Sequence, residues 1–150
     1  MREIKEIVIH ISASKFGNAE RIREWHVNGN GWRDIGYHYV INNGYVFKDD
    51  EYEERVADGF IEKGRPDAVA GAHVKGHNRF TIGICLVGSN GKYTTRQIDA
   101  LFALLKGLMI QYDLKPENVK GHYEYDTANG KTCPDLDMDL LRQKLKLMKD

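Results

Sequence analysis

Between Glu6 and Ser12 the side chains divide between two faces at a period of two, with Ile7, Ile9 and Ile11 on one and Val8, His10 and Ser12 on the other. Apolar residues on both faces predict a strand in the interior of a sheet. His10 leaves that strand near its carboxyl end, where α/β proteins commonly place their sites. Asn18 is a helix-opening residue, and Ile22 and Trp25 fall at helical spacing in a short helix from Ala19 to about Val27, ahead of the breaker run Asn28-Gly29-Asn30-Gly31. Gly36 to Ile41 reads as a second strand that turns at Asn43-Gly44 into Tyr45-Val46-Phe47, a hairpin signal because both turn residues tolerate positive φ.

From Asp49 to Arg79 the chain is charged and glycine-rich with little periodicity, which predicts mainly loops wrapping the sheet. Thr81 to Val87 is a continuous apolar run and predicts a buried strand. Thr94 with Gln97 matches a capping box, and Ile98, Leu101, Leu105, Leu108 and Tyr112 continue as an apolar stripe on a long helix. A short strand is expected near Val119 to His122. A last helix opens at Asp137, with Leu141, Leu145 and Met148 on one face. Strands interleaved with helices, plus one hairpin, predict an α/β fold in which a single-domain mixed sheet, spanning residues 1–150, is flanked by helices.

A chain of 150 residues and 17.2 kDa suits one domain. At this length roughly 68–70% of the unfolded surface is buried on folding, so neither a metal nor a disulfide is needed merely to hold the chain together. Lys and Arg number 22 and Asp and Glu 22. That balance argues against nucleic acid as a partner and against a polybasic membrane binder. The amino terminus is charged, and the apolar run Ile7-Val8-Ile9 stops at His10, too short for an export signal or a membrane span. The expectation is a soluble protein made in the cytoplasm, without membrane insertion. Cys85 lies in the apolar run and reads as a core residue, whereas Cys133 lies in the polar loop Gly130 to Asp135, where a thiol has no packing reason to be.

Zinc takes imidazole and thiolate ligands, and a catalytic zinc keeps three protein ligands with one position open. The chain offers six histidines and this loop cysteine. His10, His122 and Cys133 would converge above the sheet if their strands are neighbours. Their spacing is not that of a compact metal motif, and a buried histidine can equally hydrogen-bond within a core.

Five segments, in order, carry a resemblance: Ile7 to Ser14, Gly31 to Tyr39, Gly71 to Asn78, Thr81 to Gly88, and Gly121-His122 followed by Lys131-Thr132-Cys133-Pro134. Together they resemble the zinc-dependent N-acetylmuramoyl-L-alanine amidases of the phage-lysozyme and peptidoglycan-recognition-protein type. The resemblance implies that fold, one catalytic Zn2+ held by His10, His122 and Cys133, and catalytic assistance from Tyr37 and Lys131. Two neutral imidazoles and a thiolate leave zinc a net charge of plus one, enough to polarise an amide carbonyl and make a water nucleophile available near neutral pH. Lys131 would stabilise the tetrahedral oxyanion, and Tyr37 would orient water or donate to that oxyanion.

Strand alternation puts Tyr37 and His38 on opposite faces, and the resemblance selects Tyr37 for the site. His38 reads as structural, and Glu124 as a solvated acid rather than a proton carrier. His73, Lys75, His77, Asn78 and Arg79 form a polar cluster, with His73 and Asn78 the substrate-binding candidates. Trp32 would stack on a sugar or cap the helix before it. The implied reaction is hydrolysis of the amide between the lactyl group of N-acetylmuramic acid and L-alanine, on peptidoglycan or muropeptide, by a monomer acting as a phage or prophage endolysin. The alternatives are a non-catalytic peptidoglycan-binding module, which typically lacks the cysteine, and a cytoplasmic amidase that recycles muropeptides.

Overall fold

The structure is a computed structural model that describes residues 2–47, 52, 57–125 and 132–148. Its elements are β1 (Glu6–Ile11), α1 (Ala19–Glu24), β2 (Tyr39–Ile41), β3 (Ile61–Lys63), β4 (Thr81–Leu86), α2 (Thr95–Tyr112), β5 (Val119–Gly121) and α3 (Met138–Leu147). The strands form one mixed sheet in the order β3-β2-β4-β1-β5. β2, β4, β1 and β5 run parallel, so their carboxyl ends share one edge, and only β3 is antiparallel. β1 lies between β4 and β5, as its two apolar faces predict. β4 is buried at every position, the usual state of an interior parallel strand.

Period-two alternation separates two cores. Ile7, Ile9, Ile82, Ile84, Leu86 and Ile41 face α2 and α3, which return Leu101, Leu105, Leu108, Met138, Leu141 and Leu145. On the other face, Val40, Cys85 and Val87 pack with Ala19 and Ile22 of α1 and with Ile35. His10, in register with Cys85, belongs to this second face. The capping box at Thr94 and Gln97 forms as expected, and Asn18 and Asp137 cap α1 and α3 through their side chains. Gln97 does more than cap. Its buried side-chain amide donates to the carbonyls of Ile41 and Val87, closing the ends of two neighbouring strands.

Three expectations are corrected. The hairpin after Asn43-Gly44 does not form: the antiparallel partner of β2 is β3, from the stretch expected to be loop, and among the described residues Tyr45 makes an isolated bridge to Tyr52. Asn43 instead turns its side-chain oxygen to the Tyr45 N–H, and Gly44 has φ +93°. The second strand begins at Tyr39 rather than Gly36, so Tyr37 precedes it and is not bound by strand alternation. Finally, α1 ends at Glu24 and the chain continues as a π-turn, Trp25–Gly29. Among the described residues no helix is long and apolar enough to cross a membrane.

Candidate active site

β1 and β5 pair with Ile9 opposite Gly121, so the residues that follow on each strand, His10 and His122, emerge side by side at the carboxyl edge of the sheet. Their ring centroids are 4.6 Å apart. The Cys133 segment is tied to the same edge twice: the Tyr123 N–H donates to the Cys133 carbonyl at 2.9 Å, and the Ile11 N–H donates to Cys133 Sγ at 3.2 Å. The potential ligand atoms of His10, His122 and Cys133 all lie within 4.8 Å of one another. His10 is buried and the other two are half-buried.

Burial first, then His73 and His122, hold the His10 imidazole well below its ordinary pKa, so it stays neutral with a lone pair for a metal. Tyr37 stands beside it, with ring centroids 5.1 Å apart. Burial, followed by the Cys85 and Cys133 thiols, raises the Tyr37 phenol well above its usual range, so its hydroxyl remains a donor. Both cysteines are free thiols. Lys131 lies outside the described residues.

His73 and Asn78 have duties within the fold. Asn78 Oδ1 accepts from the backbone N–H groups of His73 and Val74, at 2.9 and 2.8 Å, and so fixes the loop that carries His73. The His73 ring lies against His10. Its Nδ1 is 2.9 Å from His10 Nε2 and its Nε2 is 3.1 Å from Thr81 Oγ1. His38 is fully buried, with Nδ1 accepting from the Gly83 N–H and Nε2 donating to the Val69 carbonyl. Because Tyr37 precedes the strand, both Tyr37 and His38 serve this one face: Tyr37 meets His10, and His38 meets His73 at 5.8 Å between centroids.

Glu124 is engaged within the fold. It forms a bidentate bridge to Arg142 at 2.8 and 3.0 Å and accepts the Gly121 N–H at 2.9 Å. Burial works against its charge, but Arg142 and the Gly121 N–H win, and its pKa is lowered. Sequence reasoning missed His26, whose Nδ1 accepts the Gly36 N–H at 2.9 Å and whose ring sits between Trp32 and Tyr37, with centroids at 4.6 and 5.5 Å. The π-turn that carries it is invisible to helical periodicity.

The family model for N-acetylmuramoyl-L-alanine amidase (Amidase_2) matches residues 1–135. The chain belongs to the N-acetylmuramoyl-L-alanine amidase family. Among curated proteins, it is 31% identical over 157 residues to the endolysin of Klebsiella phage KP32, covering 98% of this chain and 91% of that protein. It is also 31% identical over 152 residues to the endolysin of Escherichia phage T7, covering 95% and 87%. Among solved structures, the N-acetylmuramoyl-L-alanine amidase LysC from Clostridium intestinale matches with a TM-score of 0.78 at 26% identity, over 98% of this chain and 88% of that one. Drosophila PGRP-LB shares the fold, with a TM-score of 0.68 at 23% identity over 89% and 76%. The amidase therefore acts on an amide bond of peptidoglycan, the one joining N-acetylmuramic acid to L-alanine.

Proposed function

We propose that this amidase is a zinc hydrolase in which His10, His122 and Cys133 hold one metal ion while Tyr37 and Lys131 act on the scissile amide. The observation that carries this reading is the convergence of two imidazoles and one thiol, from three separate segments, on one point of the sheet edge. The donor chemistry fits: nitrogen and sulfur are the ligand types zinc takes, and three of them leave a corner for substrate or water. The Ile11 N–H donates to Sγ, a contact that suits sulfur as a metal ligand.

Bound there, zinc would supply a Lewis acid for the amide carbonyl and a water nucleophile at neutral pH. The chain's own groups supply the rest. Tyr37, kept as a neutral phenol, is a donor positioned beside His10 for charge that develops on the carbonyl oxygen. Lys131 stands two residues before Cys133 in the sequence, and the family resemblance gives its ammonium the stabilisation of the same oxyanion.

A cavity of about 500 Å³ adjoins this edge, lined in part by Lys15, Asn43, Tyr45, Lys92 and Tyr93. Tyr93 donates to the carbonyl of Pro134, the residue after Cys133, so the cavity borders the cysteine segment. Lys92 in its lining suits a carboxylate of a stem peptide. Trp32, 37% exposed on its His26 support, is a flat surface for a sugar ring.

The substrate on this reading is the intact wall, degraded by a monomeric endolysin, a role favoured by the phage endolysins to which the chain is similar over nearly its whole length. Incubating the zinc-loaded protein with intact sacculi and, separately, with soluble anhydro-muropeptide tests it. Faster release of stem peptide from sacculi is expected, and cleavage confined to the soluble fragment would assign it to recycling instead. Muropeptide binding without hydrolysis would mark a recognition module, a reading opposed by the presence of all three candidate ligands.

A further inference from the structure

The geometry points to His73 as a positioning residue that dictates which nitrogen of His10 carries the proton, and hence which one faces the metal. This rests on the metal-site reading above. The Thr81 hydroxyl has one proton and two polar neighbours, the His77 carbonyl at 2.9 Å and His73 Nε2 at 3.1 Å. A carbonyl can only accept, so the Thr81 hydroxyl donates to it, and Thr81 Oγ1 then accepts from His73 Nε2–H. A neutral imidazole with its proton on Nε2 offers a lone pair at Nδ1. His73 Nδ1 therefore accepts from His10 Nε2–H across 2.9 Å, leaving His10 Nδ1 unprotonated. A ring nitrogen's tautomer is set by the bond its partner nitrogen makes, and here the chain of bonds ends at a backbone carbonyl that cannot reverse it.

The fold is shaped to keep the His73 ring in place. A Cβ on Gly83, in the middle of the fully buried β4, would lie 2.7 Å from the His73 ring, and one on Gly71 would lie 2.7 Å from His73 Cδ2. Glycine weakens a strand interior, and its place in β4 is explained by this ring lying against the backbone. Asn78 holds the backbone of the same loop. A substrate-contact role would call for a ring turned toward the groove, whereas both nitrogens of His73 are engaged within the protein.

The test compares His73→Leu with the near-isosteric His73→Asn, which returns an acceptor close to the position of Nδ1, and with Thr81→Val, which removes the hydroxyl while suiting a buried strand. His10→Ala is the control for the underlying reading. Zinc affinity is measured by chelator competition, the His10 tautomer by long-range proton–nitrogen NMR on the metal-free protein, and kcat and KM on muropeptide. In the wild type the proton is expected on His10 Nε2. His73→Leu should mix the two tautomers and weaken zinc roughly 10- to 100-fold, the usual cost of losing a partner behind a metal ligand, with Asn restoring most of it.

Thr81→Val should shift the tautomer in the same direction and weaken zinc by a smaller factor, which keeps the test alive if His73→Leu does not fold. A wild-type His10 protonated on Nδ1 would overturn the proposal, as would unchanged zinc affinity in His73→Leu and Thr81→Val with only KM raised. Zinc affinity unaffected by His10→Ala would instead refute the metal site itself, a result distinct from either.

Discussion

The backbone N–H of Ile11 points at Cys133 Sγ from 3.2 Å. This amide follows His10 directly, so the strand that delivers one candidate ligand also donates a hydrogen bond to another, 122 positions further along the chain. Replacing Cys133 by Ser removes the soft anionic donor and leaves an oxygen with a far higher pKa. Zinc affinity is expected to fall by roughly two orders of magnitude or more, with hydrolysis falling in parallel. Metal analysis after dialysis checks this, and a zinc-loaded, fully active Cys133→Ser protein would remove Cys133 from the ligand set.

Tyr37 is half-buried beside His10 and stays protonated, so its contribution to the proposed reaction is a donated hydrogen bond. Tyr37→Phe keeps the ring and loses the donor. Turnover should drop by about 100-fold, the scale of one oxyanion donor, with bound zinc retained. If kcat is unchanged, the phenol acts only in packing.

Glu124 tests the opposite assignment. Its carboxylate closes the β5 turn through Gly121 and Arg142, bonds that occupy both of its oxygens. Glu124→Gln should keep kcat within about threefold while lowering stability by roughly 1–3 kcal/mol, because a charge-assisted bidentate bond becomes a neutral one and leaves Arg142 underpaired. Urea unfolding measures the second quantity. A collapse of turnover in a protein of unchanged stability would show that Glu124 moves a proton after all.

His38 makes stability depend on pH. Burial is the main cause that lowers its pKa from 6.5 to about 4. The unfolded chain therefore binds a proton near pH 6.5 that the native state refuses, so stability falls as pH drops from about 6.5 toward 4 and levels off for this group below that. Over the full window the loss is about 3 kcal/mol from His38 alone. His10, His26 and His73 are shifted in the same direction and steepen the fall. Urea midpoints of the metal-free protein at pH 7, 6 and 5 should decline, and His38→Gln should show a shallower decline; identical slopes would contradict the assignment.

What the sequence disclosed follows from the physics of its elements. β1, β4 and α2 are read well because their burial is continuous and their periods are sustained, and the Thr94–Gln97 capping box marks a helix start to the residue. β3 escaped notice because it is a three-residue edge strand with an exposed, intermediate, exposed pattern, too short for apolar alternation to show. Asn43-Gly44 did make a turn, but turn chemistry specifies only the reversal, and the partner of β2 was decided by pairing with a later segment.

His10, His122 and Cys133 could be grouped only by resemblance, since strand order is what makes distant residues neighbours. The contact between His73 and His10 was not legible, because a polar loop cluster reads as exposed. The clue was Gly83, a side-chain gap in a core strand that an approaching ring fills.

The most direct test of the account is mass spectrometry of purified peptidoglycan after incubation with zinc-loaded protein, beside a chelator-treated sample and one restored with zinc. Free stem peptides with a new L-alanine amino terminus, absent after chelation and recovered with zinc, are the predicted result. The same peptides released at an undiminished rate by the fully chelated protein would contradict the zinc mechanism, and cleavage of sugar chains or cross-links in their place would contradict the assigned bond.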